Sequence, residues 1–283
     1  MLRFLFNQQI LSMNRLSGVL FFLLGTLVVL SAQNTIKLGE NFYKGDEVGV
    51  VFNEEISTDL VWHTNGYAFN MNFANIINYS LANYYFIGFG QLKHPKEYRQ
   101  NFEFAPATTG RLTKAFVFGK DNTLFALRGG MGQKRYLSEK EKQKGAAIGL
   151  NYSGGVTLGL LKPYYLDLMY FKENTYGEVI IKSEVYNETN ADLFLSTDRV
   201  YGSSSFLKGI GQTKVVPGIN AQAGIHMAWG AFEDFIKALE VGIMIDYFFG
   251  SVPIMVEDPR IDYPENKNYF INLYVNLELG KRK

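Results

Sequence analysis

From Tyr269 to Leu279 every second residue is apolar: Tyr269, Ile271, Leu273, Val275, Leu277 and Leu279 alternate with Phe270, Asn272, Tyr274, Asn276 and Glu278. Successive side chains of a β-strand point to opposite faces, so this segment has one oily face and one mixed or polar face. The same rule runs through Leu239 to Phe249, where Val241, Ile243, Ile245 and Tyr247 oppose Glu240, Gly242, Met244 and Asp246. It recurs from Ile219 to Trp229 against Asn220, Gln222, Gly224 and His226, and from Ala146 to Leu160 against Asn151, Ser153 and Thr157. In a soluble sandwich strands average about five or six residues. These reach about ten, the length a tilted strand needs to cross a bilayer. The pattern therefore predicts an all-β fold: an antiparallel up-and-down transmembrane β-barrel.

The N-terminus predicts export. Arg3 and Arg15 precede an uncharged apolar run from Leu16 to Leu30 that closes on Ser31-Ala32. That is the layout of a cleaved secretory signal, giving a signal peptide over 1–32 and a single barrel domain over 33–283. No later run of about 18 apolar residues follows. The chain holds 18 Tyr, 23 Phe and 28 Gly. Tyrosine and phenylalanine suit the girdles at membrane interfaces, and glycine permits close packing in a tilted sheet. There is no cysteine, which excludes disulfides, thiolate metal sites and a cysteine-borne lipid anchor. The formal net charge of +1 gives no global field that would attract nucleic acid.

Connection lengths suggest the strand number. Short links fall at Gly230 to Lys237, Leu161 to Pro163, Lys120 to Asn122 and near Asn78 to Asn83. Longer ones fall at 94–111, 172–213, 250–267 and Leu137 to Gly145, and the alternation of long with short is the parity of outer-membrane barrels. With Asn65-Gly66 as a hairpin turn, the count is about 10 strands, or up to 12 if the 172–213 stretch holds another hairpin. Within that stretch Val179 to Asn187 has strand-like composition, and Ser203 to Gly209 is compatible with a short helix. The loops at 94–111, 172–213 and 250–267 are expected to be external.

Turning the polar faces inward places Asn70, Asn72, Arg128, Lys134, Asn151, Asp167, Asn220, Gln222, His226, Glu240, Asp246, Asn272, Asn276 and Glu278 in the lumen. Both signs of charge occur, so the groups are expected to pair across a narrow interior. Tyr176, Tyr186, Phe194, Tyr201 and Phe206 are expected to be exposed loop contacts, since the long connection carries more aromatics than a connector requires.

His63-Thr64-Asn65-Gly66 resembles the H-x-S-N-G segment of outer-membrane phospholipases and the His/Ser pairing of lipid A deacylases. Those enzymes need histidine and nucleophile on one face, whereas adjacent His63 and Thr64 point to opposite faces. No catalytic residue is assigned. His94 and His226 lack partners at ligand spacing, so neither a metal nor a cofactor is expected. Arg128-Gly129-Gly130-Met131-Gly132 lies mid-strand, without the following helix that a phosphate cradle needs.

Four segments, Thr64-Asn65-Gly66-Tyr67, Leu92 to Glu97, Gly155 to Pro163 and Val252 to Met255, together with the closing strand, resemble an uncharacterised outer-membrane β-barrel family of Bacteroidota. The resemblance spans nearly the whole exported chain. It implies a location in the Gram-negative outer membrane and a barrel fold, and supplies no catalytic residue, ligand or partner. The expected function is a non-enzymatic scaffold or accessory subunit whose partners are outer-membrane lipid and other outer-membrane proteins. The alternatives are a narrow channel for small solutes or ions and, third, a barrel-embedded lipid acyl hydrolase.

Overall fold

The computed structural model describes residues 52–78, 80–100, 114–137, 146–171, 179–229, 234–259 and 265–283. Eight long strands close into one barrel: β1 (Glu54–His63), β2 (Gly66–Asn78), β3 (Leu81–Leu92), β4 (Asn122–Tyr136), β5 (Ala147–Pro163), β6 (Lys214–Trp229), β7 (Phe235–Phe248) and β8 (Tyr269–Arg282). Each strand pairs antiparallel with its sequence neighbours, and β1 pairs with β8, from Glu55 opposite Arg282 to His63 opposite Tyr274. The barrel is thus a plain up-and-down meander without a free edge. Burial follows the two-residue period, as in β8, where exposed Ile271, Leu273 and Val275 alternate with buried Asn272, Tyr274 and Asn276.

The strands place β1–β2, β3–β4, β5–β6 and β7–β8 connections at one end, and the chain's last strand finishes at the other. At the first end, Thr64 and Asn65 make the tight turn between β1 and β2, and Gly66 follows with φ 153°. A β-carbon on Gly66 would lie 2.0 Å from the Gln91 carbonyl oxygen, so only glycine lets β3 approach this turn. The other three connections there are long: 93–121, 164–213 and 249–268. This is called the loop end below, and the opposite side the terminal end.

The expected ten strands are therefore eight among the described residues. The two surplus segments were the stretch around 112–119 and Tyr164 to Phe171. Among the described residues of the first, 114–119, only Phe116–Val117 is a strand, paired with Arg99–Gln100, and Gly119 turns the chain with φ 63°. In the second, Leu166–Phe171 is six residues long, too short to span, and pairs with Val179–Glu184 and Val200–Ser203 in a separate three-stranded sheet. Leu161 to Pro163, expected as a turn, continues β5, because Leu161 and Lys162 pair with Leu124 and Thr123 of β4. The long connections at the loop end are accordingly 93–121, 164–213 and 249–268 rather than 94–111, 172–213 and 250–267, and the 137–146 link falls at the terminal end.

The small sheet belongs to a folded cap. Phe116, Leu166, Leu168, Phe194, Val200 and Val256 are buried together, so all three long connections contribute to one apolar cluster. The 249–268 connection is stitched to the start of β4: the Asp121 amide donates to Ile254, the Val256 amide to Gly119, and the Asn122 side chain to Pro253. Asn266 holds its own loop, receiving the amides of Ile254 and Met255 and donating to the Met255 carbonyl. Val179–Glu184 matches the strand-like reading of that segment. Ser203 to Gly209 is not the short helix expected; a single α-helical turn lies instead at Ala191–Phe194, and a 3-10 turn at Ile210–Gln212.

Candidate functional site

The outward positions of the barrel form a predominantly apolar wall. Leu60, Trp62, Phe69, Phe73, Ile87, Phe89, Val156, Ile219, Ile225, Ile243, Ile271 and Leu273 are all large, hydrophobic and exposed. Monomeric soluble proteins rarely expose contiguous apolar patches beyond a few hundred Å². Cations lie over aromatic rings at both ends of this wall: Lys267 over Tyr269 at the loop end, and Lys237 over Phe235 at the terminal end. Such amphipathic pairs fit the boundary between hydrocarbon and water. Near the terminal end Gln133 donates to Asn83 and Tyr152 donates to Gln133, so three outward side chains on adjacent strands satisfy one another.

Buried side chains occupy the inside at the loop end, in the middle and towards the terminal end. At the loop end Leu92, Leu124, Ala126, Leu161, Phe248 and Phe270, from five strands, meet Val252, Ile254 and Met255 of the folded-in connection. Next comes the buried pair Arg128 and Asp246. Arg128 Nε and Nη2 donate to the two carboxylate oxygens at 2.8 and 2.9 Å, and the His63 ring and Asn272 lie in the same layer. Asn220 donates to the Thr157 hydroxyl and the Val156 carbonyl beside them.

The middle is a second network. Tyr84 donates to Asn151, Asn151 to Glu240, and Tyr274 to Glu240, while Val61, Ala68 and Met244 pack against Tyr274. Below them Lys134 donates to both Glu55 (3.0 Å) and Glu278, and Ser57 donates to Glu278 at 2.6 Å. Asn72 bonds Asp59 and Ser57, His226 sits 3.4 Å from Glu240, and Arg282 reaches Glu55. Lys134 lies on β4 and Glu278 on β8, which stand opposite each other in the ring of eight. A bore that such pairs bridge directly is the narrow one that about eight strands leave.

Of the lumen-lining expectations, Asn70, Asn72, Arg128, Lys134, Asn220, His226, Glu240, Asp246, Asn272, Asn276 and Glu278 are buried on inward positions, and Asn151 and Gln222 are half-buried there. Asp167 is not among them. It lies in the cap sheet and receives the Ser183 hydroxyl, because Leu166–Phe171 left the barrel. The interior also holds Glu55, Ser57, Asp59, His63, Tyr84, Thr157, Tyr274 and Arg282, which were not among the expected lumen-lining residues. Glu55, Ser57 and Asp59 do alternate with Ile56, Thr58 and Leu60, and that period was the available signal.

The loop aromatics behave differently from expectation. Phe194 and Tyr201 are buried in or beside the cap core, and Tyr186 stacks edge-on against Phe194 and donates to Asp258. They build the cap instead of facing outward, since a small sheet without a second layer needs aromatic bulk to bury its own face. Phe206 alone of the described four is exposed, and Tyr176 lies outside the described residues, as do the 1–32 signal segment and the 138–145 tip.

Hydrolase geometry is not assembled at His63-Thr64. The imidazole points into the lumen beside Arg128, while Thr64 Oγ1 bonds the Leu273 backbone. In the cap, Lys120 Nζ lies 2.6 Å from a Glu97 carboxylate oxygen, with both side chains buried. Burial there pushes the Lys120 amine below its usual value, opposed by the Glu97 carboxylate. Asp121 beside it is raised from 3.8 to about 6 by burial, opposed by Lys214 and by the Asn122 amide. Among the described residues no cluster of His, Asp and Glu is spaced to hold a metal ion.

No family model matches the chain. No curated protein matches it. Among solved structures it is similar to Neisserial surface protein A (NspA), at 8% identity and a TM-score of 0.36, covering 81% of this chain and 96% of that one. It is also similar to Ail, the attachment invasion locus protein of Yersinia pestis, at 11% identity and a TM-score of 0.34, covering 82% and 100%. The same protein in complex with the heparin analogue sucrose octasulfate matches at 10% identity and 0.30, over 81% and 96%. The barrel described above rests on the strand pairing of this chain itself.

Proposed function

We propose that this chain is an integral outer-membrane β-barrel that works as a non-enzymatic scaffold or accessory subunit, exported through a signal peptide cleaved after Ala32. The observation that carries the reading is the contrast between a largely apolar outer wall and an interior of buried, paired charges. A soluble barrel would turn its polar side chains outward. A conduit would keep its lumenal groups wetted, whereas Arg128, Lys134, Glu278 and Asp246 are each at most 2% exposed and bonded to one another across the bore. With the bore shut by the apolar layer around Phe248 and Ile254, the surfaces left for function are the lipid-facing wall and the cap.

The test is purification from the membrane fraction in mild detergent. A partner that accompanies the barrel in fixed stoichiometry is the expected result, and a solitary monomer counts against the scaffold role. Planar-bilayer recording addresses the channel alternative, and N-terminal sequencing of the membrane-borne protein addresses the cleavage site. A start near Gln33 is expected.

A further inference from the structure

One stretch of the long 164–213 connection turns its apolar side chains away from the cap. Phe206 is 62% exposed, Leu207 72% and Ile210 49%. The exposure is not that of a loose chain, because the stretch is pinned at several points. The Ser204 amide donates to the Tyr165 carbonyl, Tyr165 Oη donates to Gln212 at 2.8 Å, and Thr213 Oγ1 donates to the Ile210 carbonyl at 2.7 Å. Gly209 adopts φ 81°, and a β-carbon there would meet the Tyr165 ring at 2.7 Å. The turn is therefore built to hold Leu207 and Ile210 outward.

Phe206 shows where it points. Its ring meets Phe125 edge-on at 6.0 Å, and Phe125 stacks on Phe89 at 5.6 Å. Both partners are outward-facing residues of the barrel wall, on β4 and β3. Lys162, on the outward side of β5, lies 4.9 Å above the Phe206 ring. The segment thus reaches from the loop end onto the outside of the barrel, where Phe206 joins the wall beside exposed Leu207 and Ile210.

We propose that the 204–213 segment is a loop-borne membrane contact, with Phe206, Leu207 and Ile210 seated among the acyl chains of the leaflet at the loop end. This rests on the reading of the barrel as membrane-embedded. Continuity with the apolar wall identifies lipid as the occupant, and Lys208, exposed between Leu207 and Gly209, stands where lipid phosphates lie. The segment braces the cap against tilting by giving it a second attachment to the bilayer.

The absence of cysteine makes the test direct. Single variants Leu207→Cys, Ile210→Cys, Leu273→Cys and Glu188→Cys are labelled with an environment-sensitive fluorophore and inserted into phosphatidylcholine vesicles carrying doxyl groups at known depths. Leu273 is an outward mid-wall position and Glu188 an exposed cap position. The expected result is quenching at 207 and 210 by shallow doxyl groups, at 273 by deep ones, and at 188 by none. Probes at 207 and 210 that behave like 188 while 273 is quenched overturn the inference and leave the barrel reading intact. Failure at 273 overturns the barrel reading, and the inference with it. Shielding of 207 and 210 from aqueous iodide in native membranes but not in pure lipid assigns the surface to a protein partner, which also overturns it.

Discussion

Arg128 and Asp246 face each other from strands three apart in the ring and join through two parallel hydrogen bonds of 2.8 and 2.9 Å, with neither side chain more than 1% exposed. The pair is a strut across the barrel just beneath its apolar closure. Removing one partner leaves the other charged and buried. Asp246→Ala should therefore cost about 3–5 kcal/mol. The joint replacement Arg128→Met with Asp246→Leu should recover much of that loss, because an apolar filling of similar volume needs no counter-charge. Urea unfolding in detergent, followed by the gel-mobility difference between folded and heated barrel, measures both.

Lys134 serves two carboxylates at once, Glu55 on β1 and Glu278 on β8, from β4 on the far side. Lys134→Met would leave Glu55 with Arg282 and Glu278 with Ser57 and the His226 ring. Since Glu278 loses its nearest cation while staying buried, Lys134→Met should cost about 3–5 kcal/mol. A double change, Lys134→Met with Glu278→Gln, should recover part of that loss. Denaturant midpoints of the three proteins decide the matter, and a single variant as stable as the unaltered chain would contradict the assignment.

The outer wall gives a prediction with opposite chemistry. Ile243 lies at mid-strand on β7, exposed and flanked by Val241 and Ile245 on the same face. Arginine there should impair barrel assembly by roughly 2–4 kcal/mol if the surroundings are hydrocarbon. Glu54→Arg, at the exposed start of β1, should change stability little. Asn220→Ser, inside the bore, should be mild by comparison with Ile243→Arg, although it removes the bonds to Val156 and Thr157. Folding yields into lipid vesicles compare the three.

Asp121 makes the cap sensitive to pH. Its carboxyl is raised from 3.8 to about 6, first by burial, against the pull of Lys214 and Asn122. The folded state therefore holds this proton more tightly than the unfolded one. Stability should fall as pH rises from about 4 to about 6 and stay at the lower level above that. Asp121→Asn should flatten this part of the profile and raise the melting temperature of the cap at pH 7.5. An unchanged profile in the variant would assign the effect elsewhere.

The wall and most of the lumen were legible in the sequence because they obey one local rule. A period of two in β5 to β8 needs no knowledge of partners to show which side chains share a face, and it put residues as distant in sequence as Asn151 and Glu278 on the inward side. Strand number was not legible in the same way. Leu166–Phe171 alternates leucine and tyrosine with other residues much as a spanning strand does, and only its six-residue length and its pairing with Val179–Glu184 set it apart. The cap aromatics were misplaced for a related reason: Phe194 and Tyr201 read as surplus until the tertiary fold supplies a sheet for them to cover. Long-range partners such as Lys134 with Glu278 lie beyond any local pattern, since their meeting depends on how many strands close the ring.

The central claim is a membrane barrel whose bore is solid, and thiol accessibility tests it most directly. Val61 is an inward, 3% exposed residue at mid-lumen, packed with Ala68, Met244 and Tyr274, and cysteine is smaller than valine. Val61→Cys, in a chain otherwise free of thiols, is inserted into vesicles and exposed to a charged, water-soluble thiol reagent. The account predicts no modification until the barrel is unfolded, whereas rapid modification of the folded, inserted protein would mean that water fills the bore and that the closed interior is wrong.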